Sequence, residues 1–381
     1  MATVERTWDT PEGPALMELV RDLTARELAP VVDDYELRGE FPREVFRTLG
    51  RAGLLGLVYP EEFGGAGLPH HDYLQVLEEI ASSWLSVAIG VSVHTLATFP
   101  VAQFGTREQQ DRFLPGMLGG ESLGAYCLSE PGSGSDAAAL KTRATLEGDA
   151  YVVRGTKAWI THGGVADFYN LMVRTSDDGA KGITCLLAAA DTSGLSAAPP
   201  EHKMGASSSP TAQILLDGAR VDADRRIGAE GQGFSIALAA LDGGRLGIAA
   251  CAVGLAQAAL DLAVRYAGDR QQFGRPIAAF QGVSFMLADM ATQIEAARAL
   301  YLAAARRRDA GLPFSTQAAM AKLFATDMAM QVTTDAVQVL GGAGYVRDWP
   351  AERWFREAKV LQIVEGTNQI QRVVIGRSLT A

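Results

Sequence analysis

Glu365 stands in the stretch LQIVEGTNQIQR, after Leu361, Ile363 and Val364 and before Gly366 and Thr367. Ionising a carboxylate in apolar surroundings is costly. Either these neighbours flank an outward-facing position, or the site keeps an acid poised for proton transfer. Elsewhere, AYCLSEPGSGSD at residues 125–136 combines glycines, which let a ligand approach the main chain, with N–H groups and serine hydroxyls as donors. Alone such a loop is more often just a turn, and Tyr126 and Leu128 within it could face a flat ligand, although core packing is the commoner fate of such residues. KAWIT at 157–161 pairs an indole with a hydroxyl, which suits a heteroaromatic ring or a core. Arg270 and Arg275 in DRQQFGRPIAAFQ could meet phosphates, and the glycines of QVLGGAGYVRD could admit one or simply end a helix. Asp242 and Arg245 in LDGGRLGIAA lie three apart on one helical face, as an ion pair of small worth or as a polar clamp on a ligand.

The elements that must hold these groups fall into three stretches. Helical spacing of apolar residues dominates 1–121, short β-prone runs such as YVVRGTKAWI and FYNLMVRT occupy 122–228, and alanine-rich helices fill 229–381. The expected fold is α+β, mostly α: an N-terminal helical domain, a middle β domain and a C-terminal four-helix bundle. The last helices are apolar on more than one face, which suits a bundle that also meets another subunit. The run Arg306-Arg307-Arg308 reads as a solvated helix end.

The chain has 381 residues, enough for a large core, and a formal net charge of −10, which argues against a nucleic acid partner. No signal peptide or membrane-spanning run is expected. Cys127, Cys185 and Cys251 are three, widely spaced and in apolar settings, which fits core filler in a reducing cytoplasm and neither disulfides nor a metal site.

All these stretches occur in one order, with GLLGLVYPEEFGGAGL upstream and EGTNQIQR at the end. Together they make the chain resemble the acyl-CoA dehydrogenase family from about Glu18 onward. The resemblance implies α,β-dehydrogenation of an acyl-CoA thioester, FAD as a non-covalent cofactor, a homotetramer built as a dimer of dimers, and an electron-transfer flavoprotein as acceptor. By position it implies that Tyr126, Cys127, Leu128, Ser129, Gly134 and Ser135 line the flavin and its pyrophosphate. Trp159, Ile160 and Thr161 would meet the isoalloxazine. Arg270, Phe273 and Gln281, with Gln338, Val339, Gly341 and Gly342, would serve a neighbouring subunit's FAD, and Thr367 and Gln369 their own. Ser135, Asp242, Arg245, Gly366 and Arg377 would contact acyl-CoA, and Glu365 would be the base that removes the α-proton.

Some members of the family place the base just before the arginine of the Asp-x-x-Arg pair; that position is Gly244 here, which leaves Glu365 the role. Val364 stands where Tyr is common, so the acyl pocket wall should differ, and His162 stands where Asn is frequent, as a surface or supporting residue without a catalytic part. An acyl-CoA oxidase, a dehydrogenase of acyl carrier protein thioesters and a non-catalytic helical scaffold are the alternatives. The floor of the acyl cavity is expected on the helices spanning Trp84 to Phe104.

Overall fold

The structure, a computed structural model, describes residues 4–380. Six helices come first: α1 (Gly13–Leu23), α2 (Val32–Arg38), α3 (Arg43–Arg51), α4 (His70–Ser83), α5 (Leu85–Phe104) and α6 (Arg107–Leu118). Strands follow as β1 (Gly124–Cys127), β2 (Arg143–Glu147), β3 (Ala150–Thr161), β4 (Phe168–Arg174), β5 (Ile183–Ala189), β6 (Leu195–Ala197), β7 (Thr211–Asp222) and β8 (Arg226–Ile227). The chain then returns to helix in α7 (Gly233–Asp269), passes a short hairpin of β9 (Gln271–Gln272) and β10 (Arg275–Pro276), and continues through α8 (Gln281–Asp309), α9 (Ser315–Leu340), α10 (Ala351–Leu361) and α11 (Asn368–Thr380). The architecture is the expected α+β one.

The sheet runs β6-β7-β3-β2-β4-β5-β8, with β1 added in parallel beside β4. Its two halves meet weakly, since β2 and β4 pair only at Arg143 and Arg174. One face buries Val153, Ile160, Leu171 and Ile214, and the other packs Met172, Cys185 and Leu187 against α5, α6 and the start of α7. That second contact seats the sheet on the helices and brings its loops to the first turns of α7.

Helix α7 is the axis of the molecule, packed by α4, α5, α8 and α9. Small residues permit the approach. A Cβ at Gly254 would collide with the main-chain oxygen of Glu78 on α4, and one at Gly247 with the Ser92 hydroxyl on α5. Glu78 is buried and receives Arg6, Arg298 and the Tyr301 hydroxyl, so the charge is matched where the helices cross.

Two expectations change. Contrary to the absence of a spanning run, α5 and α7 are long and apolar enough to cross a membrane, yet their apolar windows are 83 % and 78 % buried inside the molecule. Their composition answers to neighbours on every side. Arg306 and Arg307 do sit at a solvated helix end, but Arg308 turns inward over the rings of Phe99 and Phe314. The three cysteines are free and buried in the core.

Candidate active site

Between the end of α10 and the start of α11 the chain makes a turn that a glycine would adopt more readily. Glu365 has φ 54° and Gly366 φ 88°. A non-glycine residue there costs about 1–3 kcal/mol and persists only where surroundings hold it. Here they do. Lys322 Nζ donates to the Gly366 carbonyl at 2.9 Å and to Asn368 Oδ1 at 2.8 Å. Gln371 Nε2 donates to the same carbonyl at 2.8 Å, and Asn368 Nδ2 to Asp327 at 2.7 Å. The strained turn leaves the Glu365 main-chain N–H with no protein acceptor.

The apolar company of Glu365 is not what its sequence neighbours suggest. Ile363 is exposed, whereas the carboxyl points to α7 and α5. A Cβ built on Gly244 would lie 2.8 Å from Glu365 Oε2 and 3.3 Å from Leu96 Cδ1. Gly244 is therefore the space that the acid occupies. Although the residue as a whole is half-buried, Oε2 is closed off from solvent and has no hydrogen-bond partner among the described residues. Burial pushes the Glu365 carboxyl up to about 7, against the pull of Arg245 and Lys322. Burial likewise brings Lys322 down to about 7, with Glu365 and Asp327 opposing.

Asp242 and Arg245 do form an ion pair, at 2.5 Å, but not a surface one. Arg245 is buried, its Nε lacks a partner, and Asp242 also accepts from Ser315 Oγ at 2.9 Å. Burial raises the Asp242 carboxyl despite the arginine.

The sheet brings the glycine-serine loop and KAWIT together. Ala158 donates its N–H to the Ser129 carbonyl at 2.9 Å. Beneath them Lys157 is wholly buried on Glu130 at 2.8 Å, and Glu130 also accepts from the N–H groups of Lys141 and Thr142, so the loop is tied at both ends. A shift in the β3–β7 register between Lys157 and Ile160, with Trp159 at φ 62°, turns the indole out of the sheet, where it is 63 % exposed. Along the loop, the N–H groups of Gly132, Gly134 and Ser135 meet no protein acceptor, and the space above both glycines is open. Open donors beside an outward-facing indole fit a ligand with a flat ring and anionic oxygens. The Tyr126 hydroxyl donates to the Ala237 carbonyl on α7 at 3.3 Å, and burial, with a smaller contribution from the charge of Glu365, raises its phenol pKa, so this loop and the acid share one region.

Some expected contacts are narrower than the sequence implies. Cys127, Leu128 and Ile160 bury their side chains in the core, so they can offer such a ligand only main chain. Ser129 and Thr161 are half-buried, and Ser135 is exposed. Thr367 caps the Ile370 N–H of α11 at 3.3 Å, while Gln369 and Arg377 are exposed along that helix. Arg270, Phe273 and Gln281 are not brought to this site: Arg270 lies roughly 40 Å along α7 from Asp242, at 1.5 Å per residue. Gln338, Val339, Gly341 and Gly342 lie more than roughly 20 Å along α9 from Lys322. Phe273 projects into solvent, 93 % exposed.

Of the two readings of His162, surface or supporting, the structure overturns the first. It is buried edge-on against the stacked rings of Phe41 and Phe46, with Nδ1 on the Gly124 carbonyl at 2.9 Å, and burial lowers it to about 4. A neutral imidazole there fills the core. Sequence reasoning also missed Lys322 and Gln371, which hold the Glu365 turn. A lysine within AAMAKLFATDM was the one signal, an ammonium on an otherwise apolar helical face.

Family models for the acyl-CoA dehydrogenase N-terminal, middle and C-terminal domains match residues 10–121, 125–219 and 231–380. An acyl-CoA dehydrogenase of Bacillus subtilis is 44% identical over 97% of this chain and 98% of its own length. The solved butyryl-CoA dehydrogenase of Megasphaera elsdenii superposes with a TM-score of 0.96 at 40% identity, covering 99% of this chain and 100% of that one. A chain in a solved structure described as the electron transferring flavoprotein of Acidaminococcus fermentans gives a TM-score of 0.96 at 42% identity, over 97% of this chain and 98% of that one. With three domain matches in order and full-length relatives at 40% identity or more, this chain belongs to the acyl-CoA dehydrogenase family of oxidoreductases.

Proposed function

We propose that the protein converts an acyl-CoA thioester to the trans-2-enoyl thioester, with Glu365 removing the α-proton. The observation that carries this reading is the Glu365 carboxyl itself: one oxygen sealed from water, unmatched by any donor, on the wall that Gly244 and Leu96 form. Burial makes such a carboxylate a better base for carbon than a solvated one. The unpaired N–H of Glu365 is available to the thioester oxygen, where it would strengthen as negative charge develops. Gly366, at φ 88°, lets the Gln371 amide close against the turn, and Asp242 with Arg245 would steady the thioester arm.

FAD is the cofactor that the open donors of Gly132, Gly134 and Ser135 and the turned-out Trp159 would hold. When bound it supplies the acceptor for the β-hydride, chemistry that no side chain offers. We further propose that two protomers complete each flavin site. Phe273, Arg270 and Gln338 lie far from their own chain's Glu365, and an exposed phenylalanine on a tight hairpin is a ready anchor for a neighbour. The family resemblance extends this proposal to a homotetramer built as a dimer of such dimers. An electron-transfer flavoprotein is the proposed acceptor, supported by the likeness to the Acidaminococcus fermentans chain.

The reading has a direct test. The purified protein should be yellow and should bleach anaerobically with butyryl-CoA. Glu365→Gln should keep the flavin and still bind the thioester while losing about 100- to 10,000-fold in the rate of bleaching. For the wild type, kcat/KM should rise with pH through about 7, because the base works only when deprotonated. Retained bleaching in Glu365→Gln would refute the assignment.

Gly244→Ala offers a second test, since its methyl group would meet the carboxyl and not the backbone. Thermal stability should hold or rise, as alanine suits a helix by about 0.5–1 kcal/mol, while kcat falls roughly tenfold. Unchanged kcat would place the acid elsewhere. Phe273→Asp should weaken FAD retention by at least about tenfold and shift the sedimentation profile to smaller species. A variant that stays assembled and fully flavinated would argue against the shared site.

A further inference from the structure

Arg308 is a cation without a counter-ion. Its guanidinium sits 6.0 Å from the ring centroid of Phe99 and 5.4 Å from that of Phe314, and lines a cavity between α4, α5 and α7. Among the described residues it makes no ion pair, because the nearby carboxylates are committed elsewhere. Asp242 is held by Arg245 and Ser315. Asp309 accepts from the N–H groups of His70 and His71, each at 2.9 Å. Burial lowers the Arg308 pKa, a sign that the charge is poorly compensated.

The same cavity reaches Gly244 and therefore the wall where Glu365 lies. Two consecutive glycines of α7 divide the work. Gly244 makes room for the Glu365 carboxyl, and a Cβ at Gly243 would collide with Arg308 Nη1. The acid and the guanidinium thus approach α7 at neighbouring residues. Near the arginine the lining is polar. The Tyr59 hydroxyl donates to the Thr95 carbonyl at 2.6 Å and the Tyr73 hydroxyl to Thr95 Oγ1 at 3.2 Å, so both phenol protons point to Thr95 and the guanidinium donors are left to whatever fills the cavity.

A plain alkyl chain filling this cavity would strip water from Arg308 and return nothing. An acyl group ending in a carboxylate would restore a charge-assisted, bidentate partner. We propose that Arg308 is a specificity-determining residue that selects acyl thioesters with a terminal carboxylate, the CoA monothioesters of short dicarboxylic acids. This rests on the reading of Glu365 as the α-proton base. The chemistry at the other end of the chain is unchanged: the Cα–H and Cβ–H bonds break, a C=C bond forms, and the electron pair leaves with the β-hydrogen.

The test compares succinyl-, glutaryl- and adipyl-CoA with butyryl-, pentanoyl- and hexanoyl-CoA on the holoprotein, by anaerobic bleaching and by the thermal shift each thioester produces. At least one dicarboxylyl thioester should exceed its neutral counterpart about tenfold or more in kcat/KM and give the larger thermal shift. Arg308→Gln should erase or invert that ratio, and Arg308→Lys should keep part of it. If the wild type favours the neutral series, or if Arg308→Gln leaves the ratio intact, the inference is overturned while the dehydrogenase reading stands. If no thioester of either series bleaches the flavin, that reading fails and this one with it.

Discussion

Closing one carboxylate oxygen off from water, with no donor to meet it, is costly for a fold, and much of the structure around the C-terminus bears on that cost. Glu365 Oε2 is buried and unpartnered, and its backbone is held at φ 54°. Two buried cations, Arg245 and Lys322, offset part of the penalty by charge without hydrogen-bonding the acid. Lys322 instead spends its donors on Gly366 and Asn368, which fixes the turn. The carboxyl is therefore positioned by its backbone while its own oxygen stays free for a substrate proton.

The same economy of space explains the glycines of α7. Glycine within a helix is unfavourable by about 0.5–1 kcal/mol relative to alanine, yet α7 carries Gly243, Gly244, Gly247 and Gly254 on its packed faces. Gly247 and Gly254 let α5 and α4 approach closely, and Gly243 and Gly244 hold the space for Arg308 and Glu365. One helix thus sets both the packing of the core and the shape of the cavity. The sheet is joined to this arrangement through the Tyr126 hydroxyl on Ala237.

Much of this was legible in the sequence, and the reasons for the rest are physical. The alternation of helical and β-prone texture depends on local periodicity, so the α, β, α order was readable. Glu365, the glycine-serine loop and KAWIT were readable because their residue types are unusual for their surroundings. What local reading misses is direction. Ile363 stands beside Glu365 in sequence, whereas the carboxyl faces Leu96 and Gly244, far away along the chain. Local reading leaves His162 open between surface and supporting residue and puts Arg308 in solvent, because nothing in a single stretch tells which side of an element faces the core. Lys322 hid for the same reason: its partners are 44 and 46 residues away.

The central claim is that Glu365 rests as a high-pKa acid before any substrate arrives. Isotope-edited infrared titration of the substrate-free protein, with Glu365→Gln as the subtraction control, reads this carboxyl alone. A protonated C=O stretch that disappears with a midpoint near 7 is the predicted result. A midpoint in the ordinary glutamate range, about 4.3, would contradict the account.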